Sequence, residues 1–318
     1  MYYVIFDLEW NNAYNYSTGK GMNEIIEIGA VKLDDKLNIV DTFKQLIKPK
    51  LSKKLSSRFK NLTHITSDEI NNCGVPFDKA ISDFARWSGG TESIYMSWSN
   101  SDLYVLIDNF KKFVGTSSIN FITKYVDMQK YCQSYLDDLG NNQISLSNCA
   151  ERFNIVVDEN NLHRALEDCY LSAECVKKVF DKNEFDKYII HCDSNFFEKL
   201  IYKPFVITNP VSQYYNVYNE QLVCPFCKSN LKIIKGYEIV NKSFRNICEC
   251  KECKKKFWVT IRAKKNYDDV SVSKRINVMN KKRARNIDKL TQENWFCILT
   301  IWKNSKEFMK YIYLILYL

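Results

Sequence analysis

The chain has 318 residues, 46% of them hydrophobic and 26% charged, with only 9 Gly and 5 Pro. This composition excludes intrinsic disorder and collagen-like or low-complexity architecture, and the length allows one large domain or two ordinary ones. The net charge of +9 is unevenly placed: residues 1–219 carry 24 Lys+Arg against 28 Asp+Glu, residues 220–290 carry 19 against 7, and the last 28 carry 3 against 2.

Tyr2 to Phe6 is an apolar strand run, and Ile25 to Leu33 and Asn38 to Ile47 are two more, the latter pair joined by an Asp34-Asp35-Lys36 turn. Ile94 to Met96 predicts a fourth strand and Phe121 to Val126 a fifth. Between them Leu103, Leu106, Ile107, Phe110 and Phe113 recur at helical spacing. Ser145 opens a helix through Phe153. Arg164 to Phe180 is a long amphipathic helix with Leu166, Cys169, Tyr170, Ala173 and Val176 on one side. A three-strand meander followed by alternating strands and helices predicts an α/β fold with a mixed five-stranded sheet flanked by helices.

Several acids interrupt this pattern. Asp7 and Glu9 end the first strand, and residues two apart share a strand face. Two adjacent carboxylates at the edge of a core repel each other and lose hydration. Either a divalent cation compensates them, with oxygen ligands favouring Mg²⁺ or Mn²⁺, or the strand end opens to water. Asp102 opens the helix after Trp98-Ser99-Asn100-Ser101, where it can also serve the helix dipole. His163 and Asp168 are five residues apart, about 140° around a helix, and converge only if His163 precedes the first turn. Four carboxylates and an imidazole suffice to hold two Mg²⁺ or Mn²⁺ ions and to take a proton from an attacking water.

Three motifs in this order resemble the DEDD superfamily of 3′–5′ exonucleases, in the branch whose fifth residue is His. They are Phe6-Asp7-Leu8-Glu9-Trp10, Trp98-Ser99-Asn100-Ser101-Asp102-Leu103 and His163-Arg164-Ala165-Leu166-Glu167-Asp168. Leu62-Thr63-His64-Ile65-Thr66 and Ser145-Leu146-Ser147-Asn148-Cys149-Ala150 are softer similarities. The resemblance covers residues 1–185. It implies a ribonuclease-H-like fold, two metals organised by Asp7, Glu9, Asp102 and Asp168, and His163 as general base. It also implies stepwise removal of nucleoside monophosphates from a 3′ end. Trp98, four residues before Asp102, is similar to the branch that trims RNA, so single-stranded 3′ ends of RNA are favoured over DNA. Trp10 and His64 complete the expected substrate contacts. His64 stands where the family usually has Gly, which places a ring able to stack on a base or meet a phosphate there.

Five of the 12 cysteines fall between Cys224 and Cys253. Cys224-Pro225-Phe226-Cys227 and Cys250-Lys251-Glu252-Cys253 are two Cys-x-x-Cys pairs suited to one tetrahedral Zn²⁺, with Lys232–Val240 and Phe257–Arg262 as strands. Cys248 is a spare. Lys254-Lys255-Lys256 with Phe257 and Trp258 interleaved resembles a zinc ribbon that binds nucleic acid, with Lys255 and Trp258 as contacts. The expected organisation is an exonuclease-like domain at 1–200, a linker at 201–219, a zinc ribbon at 220–266 and a basic and hydrophobic helical tail at 267–318. The apolar runs 295–302 and 311–318 are too short and too interrupted by charge to span a bilayer, and are expected to pack on the protein's own core or a protein partner. The N-terminus shows no basic start or cleavage site, so a cytoplasmic location with reduced or metal-bound cysteines is expected. The leading reading is a metal-dependent 3′–5′ exonuclease. The alternative is a non-catalytic nucleic-acid-binding or regulatory protein on a nuclease-like fold.

Overall fold

The computed structural model describes residues 1–52, 54–137, 142–157 and 163–279. The chain forms two compact units, divided between Ile201 and Tyr202.

The first unit opens with two 14-residue strands, β1 (Tyr2–Asn15) and β2 (Lys20–Leu33), in one long antiparallel hairpin. Strand β3 (Ile39–Leu46) completes the meander, and Asp34 holds the β2–β3 turn by accepting the Lys36 and Asn38 amides. Three helices follow that the apolar pattern did not announce: α1 (Ser57–Thr63), α2 (Ser67–Cys73) and α3 (Phe77–Ser88). The first two begin at Ser56 and Thr66, whose hydroxyls accept the third helical amide, the Thr66–Glu69 pair forming a full capping box. Then come β4 (Ser93–Ser97), α4 (Ser101–Phe113), β5 (Lys124–Asp127), α5 (Met128–Gln133), α6 (Leu146–Arg152), α7 (Ala165–Val179), α8 (Lys182–Asp186), β6 (Ile190–His191) and α9 (Ser194–Ile201).

The sheet order is β3-β2-β1-β4-β5-β6, with β4 parallel to β1 and to β5. It has six strands, not five. The sixth is an exposed two-residue edge on Lys124–Tyr125, too short to leave a periodic signature. One face, with Val4, Phe6 and Leu8, packs under α3 and α4. The other, with Tyr3, Ile5 and Val31, packs under α5, α6 and α7. The interior of β1 is therefore apolar on both sides, as a central strand must be.

The second unit is a five-stranded sheet. Strands β8 (Leu231–Val240), β9 (Ser243–Cys250), β10 (Lys256–Lys265) and β11 (Val270–Val278) form an antiparallel meander, and β7 (Phe205–Val206) joins β10. Two sequence expectations are corrected here. Residues 201–219 are not a linker, because Ile207 and Val217 are buried in this unit's core with Phe244, Phe257 and Ile261. Residues 270–278 are a strand and not the start of a helical tail: Val270, Val272 and Ile276 alternate onto the same core. The rest of the expected tail, residues 280–318 with both apolar runs, lies outside the described residues. Among the described residues no helix is long and apolar enough to cross a membrane.

Candidate active site

Strand β1 delivers Asp7 and Glu9 to one side of the sheet, beside the first turn of α7. Helix α7 can approach that closely because the residue opposite Asp7 in the β1–β2 register is Gly29. A Cβ there would stand 2.2 Å from the Leu166 nitrogen and 2.3 Å from the Ala165 carbonyl carbon. Next along β2, Glu27 lies opposite Glu9 and is fully buried. Its carboxylate accepts from Arg164 Nε at 3.2 Å and Nη2 at 2.9 Å, and from the Ala165 amide at 3.3 Å. This ion pair fixes the entry of α7 on the sheet.

His163 precedes the helix, as convergence required. Its backbone is left-handed (φ 68°), its side chain is exposed, and its amide donates to the Asp168 carboxylate. Carboxylate oxygens of Asp7, Glu9 and Asp168 all come within 4.8 Å of one another. Asp102 is not in that triplet. It approaches from the first turn of α4, where it is buried and its Oδ1 accepts the Leu8 amide at 3.1 Å, between the two β1 acids. All four acids and His163 line one cleft of about 680 Å³.

The crowding shows in the acids' proton affinity. Burial, reinforced by neighbouring carboxylates, holds Asp7 well above the usual carboxylate range and pushes Glu9 up to about 9. Burial likewise raises Asp102 to about 7, against the Leu8 amide's opposing pull, and Asp168 to about 6. A hard divalent cation answers both features at once, supplying positive charge to an all-oxygen ligand set. These residues therefore fit such a group.

The other expected contacts divide. Trp10 and Trp98 line the cleft, and Trp98 Nε1 donates to the Ile144 carbonyl at 3.3 Å, which steadies the ring against the start of α6. His64 is not among the lining residues. It caps the C-terminus of α1 with left-handed backbone (φ 57°), the conformation that explains why Gly suits this position. The same helix instead offers Arg58, Phe59 and Leu62 to the cleft, after Ser56. Asn12, Asn23, Ser99, Ser101, Ser145 and Ser147 complete its polar wall. None of these carries a spacing signal. Glu27 and Arg164 did, in principle: a Glu inside an apolar strand run and an Arg beside the motif histidine are each costly unless paired.

Lys255 and Trp258 belong to the second unit. The Lys255 ammonium lies 3.6 Å from the centre of the Phe226 ring. Trp258 is half-buried on β10, and its Nε1 has no partner among the described residues. In the same unit the sulfurs of Cys224, Cys227, Cys250 and Cys253 lie within 4.8 Å of one another, with Cys224–Cys253 at 3.9 Å and Cys227–Cys250 at 3.4 Å. These approach the roughly 3.8 Å edges of a tetrahedron with ~2.3 Å metal–sulfur bonds. Each pair sits in the same turn. The amide four residues after the first Cys donates to that Cys carbonyl, from Lys228 at 3.0 Å and from Lys254 at 2.9 Å, and both lysines are left-handed. Cys248 is buried in the core against Asn246 Oδ1 and takes no part.

A family model for exonucleases, RNase_T, matches residues 4–176. The probable 3′–5′ exonuclease KapD of Bacillus subtilis (strain 168) is 34% identical over 95 residues, 30% of this chain and 45% of the relative, so the match spans less than half of that protein's length. Among solved structures, the nuclease domain of 3′hExo, a DEDDh family member, bound to rAMP superposes with a TM-score of 0.48 and 21% identity over 56% of this chain and 90% of that one. A full-length 3′-exonuclease gives 0.49 and 19% over 61% and 91%. The matched span runs from β1 into α7 and so contains every acid of the cleft together with His163; on that match the chain belongs to the RNase_T exonuclease family.

Proposed function

We propose that this protein is a metal-dependent 3′–5′ exonuclease that removes nucleotides one at a time from single-stranded nucleic acid, RNA in preference to DNA. The observation that carries the reading is the meeting of Asp7, Glu9 and Asp168 oxygens within 4.8 Å in a cleft that Asp102 and His163 also line. The direction of attack is supported by the name of the Bacillus subtilis relative, itself a probable 3′–5′ exonuclease.

Asp7, Glu9, Asp102 and Asp168 would hold two divalent cations, Mg²⁺ or Mn²⁺. Ions held there would supply positive charge to the scissile phosphate and would make the attacking water more acidic. The chain's own residues do the rest. His163, exposed at the lip of the cleft, accepts the proton of the attacking water. Phe59, Leu62 and Trp98 give the terminal base an apolar surface, and Arg58 faces the substrate with a fixed positive charge. No base-edge donor or acceptor pattern is required, so sequence preference is weak. In the second unit Cys224, Cys227, Cys250 and Cys253 would hold one structural Zn²⁺, and the basic surface around Lys255 and Trp258 would grip the strand.

The test is a side-by-side digest of 5′-labelled RNA and DNA with Mg²⁺ or Mn²⁺. The expected result is a ladder of shortened labelled strands with mononucleotides released, faster for RNA. Internal cuts, or no shortening with either metal, would overturn the reading.

A further inference from the structure

The β1–β2 hairpin runs well past the cleft, and its outer part has the makings of a second contact surface. Along β1, Trp10, Asn12 and Tyr14 alternate onto one face. Trp10 and Asn12 line the cleft, as does Asn23, the partner of Asn12 across the hairpin. Tyr14 is the next residue on that face, about 13 Å beyond Trp10 at strand rise. It is 49% exposed, and its ring meets that of Tyr16 edge-on at 4.9 Å. Tyr16, at 79%, is the most exposed aromatic among the described residues. Opposite Tyr14 in the register is Gly21, which puts no side chain beside the ring.

This tip is built, not loose. The buried Asn15 side chain accepts the Ser17 amide at 3.1 Å and the Ser17 hydroxyl at 2.6 Å. Lys112, from the far end of the helix that presents Asp102, donates to Asn15 Oδ1 at 3.2 Å and to Ser17 Oγ at 2.9 Å. Lys20 adds an exposed positive charge. Two tyrosines held in water by such a scaffold contribute nothing to the core. An exposed aromatic pair beside a lysine, continuous with the cleft proposed to take a 3′ end, suits bases and phosphates of a single strand.

We infer that the outer β1–β2 hairpin is an upstream strand-binding platform, on which bases preceding the 3′-terminal nucleotides stack against Tyr14 and Tyr16. The inference rests on the exonuclease reading for the strand's direction. Its length consequence is specific: a strand must extend several nucleotides beyond the cleft to reach the platform.

The experiment compares the full-length protein with its Tyr14→Ala/Tyr16→Ala variant. Binding of a 5′-fluorescein dodecanucleotide is followed by anisotropy in Ca²⁺, and KM is measured in Mn²⁺ for the dodecanucleotide and for a dinucleotide. Expected are a Kd and a KM raised about 10- to 100-fold for the long strand, the scale of one or two lost stacks, and a penalty that vanishes for the dinucleotide. Tyr14→Trp/Tyr16→Trp should restore tight binding, because any π-face will serve. An unchanged Kd and KM for the long strand overturns the inference, and so does an equal loss on the dinucleotide, which would mean a distorted cleft. If the wild-type protein degrades nothing, the exonuclease reading falls, and the Kd comparison still decides the platform. A wild-type protein that binds no strand overturns both.

Discussion

At Gly29 the sheet meets the backbone of α7, so adding one methyl group there tests how the candidate site is assembled. In Gly29→Ala the new Cβ would lie 2.2 Å from Leu166 N, 2.3 Å from Ala165 C and 2.7 Å from Ala165 O, whereas ordinary contact begins at 3.4 Å. The shortfall of about 1.2 Å is against backbone, so no side chain can swing aside. The Glu27–Arg164 pair and the Glu27 contact with the Ala165 amide hold the helix start in place, so relief must come from tilting α7 or bending β2. Overpacking of this kind costs about 1–3 kcal/mol, which lowers the Tm of a unit this size by roughly 2–4 °C per kcal/mol. The larger effect is on chemistry. Asp168 sits in the displaced turn and His163 just ahead of it. A misplacement of about 1 Å costs on the order of 10²-fold in rate. Gly29→Ala should therefore retain its circular dichroism spectrum, lose a few degrees of Tm and lose about two decades of exonuclease kcat/KM. Gly236→Ala, where a Cβ meets nothing within 4 Å, is the matched control. Wild-type activity and Tm in Gly29→Ala would refute the claim that this contact sets the helix position.

Asp7→Asn removes one charge from the acid cluster and one of the proposed metal ligands. It should raise the Tm of the metal-free protein while lowering exonuclease activity by roughly 10³-fold or more, the scale of several kcal/mol of lost transition-state stabilisation. Because burial lifts Asp168 to about 6, Asp102 to about 7 and Glu9 to about 9, the folded state holds protons that the unfolded chain releases near pH 4. Stability from those protons is present at low pH and is lost as pH rises through about 6 to 9. With no divalent cation added, Tm should fall between pH 5 and pH 9, and Mn²⁺ should raise it most at the alkaline end; a flat or rising metal-free profile contradicts the burial argument. Arg164→Ala takes from buried Glu27 its nearest charged partner, leaving the Ala165 amide and Lys44 at 3.9 Å, and should cost about 3 kcal/mol in unfolding free energy, whereas Arg164→Met with Glu27→Gln should cost less. Elemental analysis should find one Zn per chain in wild type and in Cys248→Ser, and none in Cys227→Ser; zinc lost from Cys248→Ser but kept in Cys227→Ser would exchange the roles of these cysteines.

What the sequence made legible follows from which forces leave periodic marks. Strand β1 and helices α4 and α7 bury one stripe or both faces, so their apolar spacing is dense, and their ends fell within about two residues for the helices. The acids stood out because a carboxylate beside such a stripe is costly without a partner. The outer hairpin left no such mark. Its strands carry Asn11, Asn12, Asn15 and Asn23, residues of low strand propensity, and are held by cross-strand amides and Lys112. Helices α1 and α2 are seven residues each, set by caps and one or two buried anchors, Phe59 with Thr63 and Ile70. Strand β11 was legible and lost: Val270, Val272 and Ile276 alternate, but the lysines and arginines between and after them read more loudly as a basic tail. The same logic explains the site's own division. Residues that hold charge announce themselves, because burying charge needs a reason. Residues that shape the cleft, such as Ser56, Phe59 and Ser145, do ordinary work in caps and cores, and acquire a second role only from where the fold sets them down.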